Sequence, residues 1–338
     1  MNSLQRVAAT IQFQETDRVP VIAQVFGHAA TLAGVPLDDY VRDGETLARC
    51  QLKALHQYRY DAVFAVMDVN VETEAAGSVL RYPRNQYPVI ERHALSQEAD
   101  WGGLAVPDPK QAGRMPEMLK ALALLRHELG DEVLVVGCIL GPFTLATQLL
   151  GLERTLYLAI DDPPQLERLM DFATDVVIRF GQAQLQAGAH LPMVFDPSAS
   201  PAVVPPNFFR EFELPRLQRV FQALSQAGAA ANWLHIAGPA APILPYYAKA
   251  GVHIANFDYM VSAAEAMSRL PVTCLDGNIK SLLFVEGSPT EVEMEAVNLL
   301  RAFRNRRGFI LSSGCEIPPE AKPETVAALV KTPIAGSR

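Results

Sequence analysis

Short apolar runs recur along the chain, and most are separated by stretches long enough for a helix. Residues 19–24, 60–66, 132–137, 192–195, 231–236, 253–257, 272–276 and 309–312 read as eight strands. They are brief, apolar and rich in β-branched residues, as parallel strands buried on both faces should be. Between them, residues 37–58 have helical periodicity, with Asp43 placed to cap the helix that follows it. Helices are also expected at 163–186, 206–225, 241–250, 263–270, 290–303 and 323–331. Residues 1–18 read as a short helix and a polar turn. The alternation breaks once, after the second strand. Residues 69–76 look irregular, and Glu72 and Glu74 share a face if that segment is extended. Residues 77–93 alternate around Pro83, Asn85 and Pro88, which suits a β-hairpin.

Eight strands alternating with helices imply βαβ units and a parallel sheet. The expected fold is therefore α/β: one (β/α)8 TIM barrel over residues 1–338, with an N-terminal helical extension and a hairpin insertion after strand 2. No GxGxxG follows the first strand, which argues against a dinucleotide-binding sheet.

Charge narrows the partners. A net charge of −8 argues against a nucleic-acid surface. The one basic cluster, Arg301, Arg304, Arg306 and Arg307, reads as a solvated helix end. No apolar run reaches the length of a membrane span. The first residues lack the features of a secretory signal. The four cysteines, Cys50, Cys138, Cys274 and Cys315, are far apart and form no CxxC pair. A cytoplasmic protein with reduced thiols is the expectation, with Cys50 and Cys274 as packing residues.

In such a barrel the residues just past each strand converge on one rim. Here they are Gln24 and His28, Asp68 with Glu72 and Glu74, Cys138, Asp196 and Ser198, His235, Asp258, Asn278, and Cys315 with Glu316. An imidazole and a thiol leaving the same rim, His235 and Cys315, suggest zinc, which takes N and S ligands. Each residue also has a structural reading. His235 can simply bond backbone, Cys138 can be a small core residue, and Asp68 can brace its loop. Asp196 and Asp258 can cap the helices that follow them.

Several segments resemble the uroporphyrinogen decarboxylase superfamily. They are Val136-Gly-Cys-Ile-Leu-Gly-Pro-Phe-Thr-Leu145, Asp196-Pro-Ser-Ala-Ser200, Pro205-Pro-Asn-Phe-Phe209, Glu211-Phe-Glu-Leu-Pro215, Gly277-Asn278 and Gly308 to Pro319. The Gly-Cys-x-Ile-Pro-Pro run resembles the methylcobamide:coenzyme M methyltransferase branch in particular. The resemblance implies a (β/α)8 barrel with an N-terminal extension. Two departures stand out. The decarboxylases carry an arginine-rich stretch after the first strand, where this chain has residues 21–28 with no arginine. A polycarboxylate would lack its partners there. The methyltransferases resemble His-x-Cys…Cys on zinc; His235 and Cys315 match, but the middle position is Ala237.

The resemblance implies a corrinoid-linked, zinc-dependent methyltransferase. It would move a methyl group between a small methyl donor or acceptor and the cobalt of a partner corrinoid protein. His235 and Cys315 would hold the metal, with Glu72, Glu74, Asp258 or Cys138 as the further ligand. An oxygen ligand would make the zinc a stronger Lewis acid and favour a methoxylated substrate over a thiol. Asp68, Glu72, Asp196, Asp258 and Asn278 are the candidate catalytic groups, and Ser198 and Gly277 the candidate cofactor contacts. The competing readings are a metal-independent decarboxylase using Asp68 and a non-catalytic corrinoid- or tetrapyrrole-binding barrel. A monomer or homodimer is expected.

Overall fold

The computed structural model describes residues 1–95, 101 and 103–335. The strands are β1 (Val21–Ile22), β2 (Ala62–Phe64), β3 (Val79–Arg81), β4 (Val89–Arg92), β5 (Leu134–Leu140), β6 (Leu191–Phe195), β7 (Trp233–His235), β8 (Ile254–Asn256), β9 (Cys274–Ile279) and β10 (Phe309–Ser313). Eight of them form one parallel sheet in the order β1-β10-β9-β8-β7-β6-β5-β2, with helices in the crossovers. This is the expected (β/α)8 barrel. Every residue of β5, β6 and β10 is buried, which explains their unbroken apolar sequences. The expected hairpin is present as antiparallel β3 and β4.

No ladder joins β1 to β2; a carboxylate bridges that seam. The Asp61 N–H donates to the Val21 carbonyl at 2.8 Å, and the Val21 N–H donates back to Asp61 Oδ2 at 2.7 Å. Asp61 is fully buried, so its charge needs partners. Arg6 Nη1 reaches Oδ1 at 2.7 Å and Arg18 Nη1 reaches Oδ2 at 2.7 Å. The helix Ser3–Ile11, the expected N-terminal extension, therefore supplies a cation to the seam.

Local signals hold where they are strong. Asp43 accepts the Thr46 N–H at 2.7 Å and starts the helix Gly44–Tyr58. Four expectations are corrected. The segment after β2 is helical over Val71–Ala75, too short to show periodicity, so Glu72 and Glu74 do not share a face. Strand β5 continues through Cys138, and β9 takes in Gly277 and Asn278, so these residues lie within strands and not past them. Gly137 looked like a strand end but is a close approach: a Cβ there would lie 2.1 Å from Gln184 Oε1. Of the basic cluster, Arg306 is not simply solvated. It donates to the carbonyls of Met267, Leu270 and Thr273. Among the described residues, no helix is long and apolar enough to cross a membrane.

Candidate active site at the carboxyl rim

Strand register sets the site. Phe195 at the end of β6 pairs in register with His235 at the end of β7, and their ring centroids lie 4.8 Å apart. Both face a cavity of about 200 Å³ lined also by Phe26, Val66, Asp68, Val69, Asn70, Tyr87, Pro88, Pro197, Ala237, Cys315 and Glu316. His235 is 1% exposed, and its Nδ1 has no hydrogen-bond partner. Burial pulls its pKa down to about 3, so it is a neutral imidazole near pH 7. Cys315 follows β10. Its thiol is pushed up to about 11, chiefly by burial, and stays protonated near neutrality.

Two of the lining carboxyl groups are treated differently. Asp68 pairs with Arg114, which also reaches Glu74 Oε2 at 2.7 Å and the Val41 carbonyl at 2.8 Å. Asp68 Oδ1 accepts the Asn70 N–H at 2.8 Å as well, so it braces its loop while it lines the cavity. Glu316 has no such cation. Its Oε1 accepts the Tyr87 hydroxyl at 2.5 Å and the Gly27 N–H at 3.3 Å. Burial pushes the Glu316 carboxyl up to about 7. Tyr87 sits in the loop between β3 and β4, so the hairpin insertion closes one side of the cavity.

The remaining candidates lie elsewhere. Glu72 is buried beside β5, where it accepts the Leu140 N–H at 2.7 Å, and burial raises its pKa to about 7. Glu74 is engaged by Arg114 and by the Tyr82 hydroxyl at 2.5 Å. Cys138 is buried within β5. Asp196 does not cap the short helix that follows it. Its Oδ1 accepts the Thr144 N–H at 2.8 Å and hydroxyl at 2.6 Å. Gly141 permits this, because a Cβ there would lie 2.2 Å from the Asp196 carboxyl carbon. Glu213, in a π-helical turn over Phe209–Glu213, is buried against Asp196. Burial first, and the Asp196 charge second, hold the Glu213 carboxyl well above its ordinary range. Asp258 accepts the Met260 N–H at 2.9 Å, whereas the next helix is capped by Ser262. Asn278 ties that loop down through the carbonyls of Asp258 and Val261. Ser198 bonds Thr147 and Thr144, and Gly277 lies in β9. His28 is buried against the Tyr58 hydroxyl at 2.8 Å.

Sequence reasoning did not single out Phe26, Tyr87 and Phe195. The two phenylalanines look like core residues, and Tyr87 meets Glu316 across 229 positions of chain.

A protein-built zinc site takes three or four N, S or O ligands. His235 offers a free nitrogen and Cys315 a sulfur at one cavity, but Ala237 lines it with only a methyl group. Among the described residues, no three His, Cys, Asp or Glu side chains stand together so as to hold a metal ion. The residues as placed do not make a complete zinc site.

Known proteins place this architecture. The methylcobamide:CoM methyltransferase MtaA of Methanosarcina barkeri is 27% identical over 333 residues, covering 96% of this chain and 95% of that protein. A uroporphyrinogen decarboxylase of Syntrophotalea carbinolica is 30% identical over 296 residues, covering 85% of this chain and 82% of that one. The solved structure of a methyltransferase from Methanosarcina mazei superposes with a TM-score of 0.91 at 27% identity, covering 100% of both chains. The family model described as uroporphyrinogen decarboxylase (URO-D) matches residues 2–333, and the chain belongs to that family.

Proposed function

We propose that this protein is a methyltransferase that moves a methyl group between a small molecule in the rim cavity and the cobalt of a corrinoid carried by a partner protein. The observation that carries the reading is the convergence of His235, Cys315 and Asp68 on one rim cavity, in a barrel that matches a methyltransferase over its whole length. A space of about 200 Å³ holds a small substrate and is far too small for a corrin ring. The corrinoid would have to meet the substrate from outside the rim, which is what a docked partner provides.

The residues present support binding and orientation. Phe26 and Phe195 wall off water, which strengthens polar contacts made inside. His235 lines the cavity, and burial keeps its imidazole uncharged near neutrality. Arg114 fixes Asp68, so that carboxylate presents a constant wall. No step here is routed through zinc, because among the described residues no three donor side chains stand together so as to hold it.

A decarboxylase is the second reading, favoured by Asp68 in the cavity and by the similarity to uroporphyrinogen decarboxylases. A porphyrinogen or other tetrapyrrole finds little support as the ligand, since no described lysine or arginine lines this small cavity.

The test is methyl transfer from a panel of small methylated compounds to free cob(I)alamin, followed by the loss of its absorbance. Transfer that falls about a hundredfold in His235→Ala is expected. Carbon dioxide release without methyl transfer, abolished in Asp68→Asn, would replace this reading with the lyase.

A further inference from the structure

The cavity's charge and its walls point to one class of substrate. We infer that it is built for a small N-methylated ammonium ion. The transfer step rests on the reading above; the binding claim does not.

Charge carries the first part. Arg114 takes up the charge of Asp68. Among the described residues Glu316 meets neither arginine nor lysine. Its Oε1 takes two neutral donors, Tyr87 and Gly27, and its Oε2 has no partner among the described residues. His235 is neutral. No described lysine or arginine lines the cavity. Glu316 is therefore the described lining carboxyl without a cationic partner, and a cation bound beside it would favour its ionised form.

The walls carry the second part. Phe26 and Phe195 stand at 89° with centroids 5.8 Å apart, and the His235 ring follows at 4.8 Å from Phe195. Tyr87 adds a further ring from the hairpin. Aromatic rings lining the same cavity as a carboxyl group suit a methylated ammonium, whose charge is spread over its methyl groups and carries a weak hydration shell. A sulfonate or a polycarboxylate would find no lysine or arginine in the described lining to serve as counter-ion.

The chemistry is consistent with this choice. When the C–N bond breaks, its electron pair stays on nitrogen and the leaving group is a neutral amine, which needs no added proton. The pair for the new bond to carbon comes from the reduced cobalt acceptor named above.

The experiment is calorimetric binding of three probes to the full chain. The first is choline. The second is 3,3-dimethyl-1-butanol, in which carbon replaces the charged nitrogen. The third is 2-mercaptoethanesulfonate. Choline should bind about tenfold or more tightly than its carbon isostere. In Glu316→Gln, checked for folding by its melting curve, that ratio should fall to about one. Should that variant not fold, the wild-type ratio alone decides. Equal binding of the two isosteres, tightest binding of the sulfonate, or no binding of choline would each overturn the inference. A cation preference without methyl transfer would keep the inference and remove the methyltransferase reading. Transfer from ethers with no cation preference would do the reverse.

Discussion

Ala237 lines the cavity beside His235 and Cys315 and brings only a methyl group. His235 and Cys315 were legible in the sequence because both stand at the ends of apolar runs. Ala237 was legible as a gap in a pattern. Replacing it tests the gap directly. Ala237→Cys should raise bound zinc to about one ion per chain after desalting, against well below that in the wild type, as read by elemental analysis. Equal zinc in both proteins would mean that the wild type completes its site another way. A second residue-scale effect was not legible, because burial depends on tertiary packing. Asp276 lies in β9, accepts the Asn256 side-chain N–H at 2.9 Å, and is raised by burial from 3.8 to about 7. The folded chain then keeps a proton that the unfolded chain releases. Stability from this group is present below pH 4 and is lost as pH rises toward about 7. Asp276→Asn removes that dependence. Its melting temperature relative to wild type should rise between pH 4.5 and pH 8; a constant difference would refute the assignment.

Elements were easier to find than their ends. All eight barrel strands and the hairpin follow from alternation and apolar runs, but β5 and β9 run past the glycines that seemed to end them. Gly137 is small because Gln184 crowds it, a fact that lies 47 residues away in the chain. The hairpin shows how an insertion becomes part of a site. Tyr87 joins it to Gly27 and to Glu316 across the cavity. Tyr87→Phe removes both bonds and should cost about 1–3 kcal/mol, because buried groups are left unpaired. Faster hydrogen exchange confined to the hairpin would locate the effect. Arg114 performs a similar task from the segment before the helix Met115–Leu129. Arg114→Met leaves the buried Asp68 carboxylate without its cation and should cost about 3–5 kcal/mol by denaturant melt. A loss under 1 kcal/mol would mean that Asp68 is solvated.

For the whole molecule, the barrel is what makes the rim residues meet. Register carries His235 to Phe195, while the Asp61 network closes the one seam that lacks a ladder. That seam could not be read from the sequence, since Arg6, Arg18 and Asp61 look like ordinary surface charges until the chain closes. The family relationship spans nearly the whole chain, and the account rests on what the shared rim does here. The most direct measurement is single-turnover methyl transfer to cob(I)alamin by the wild type and by His235→Ala. The expected result is loss of the cob(I)alamin absorbance with the wild type, and a rate about a hundredfold lower with the variant. No transfer by the wild type from any methylated donor, or equal rates for the two proteins, would contradict it.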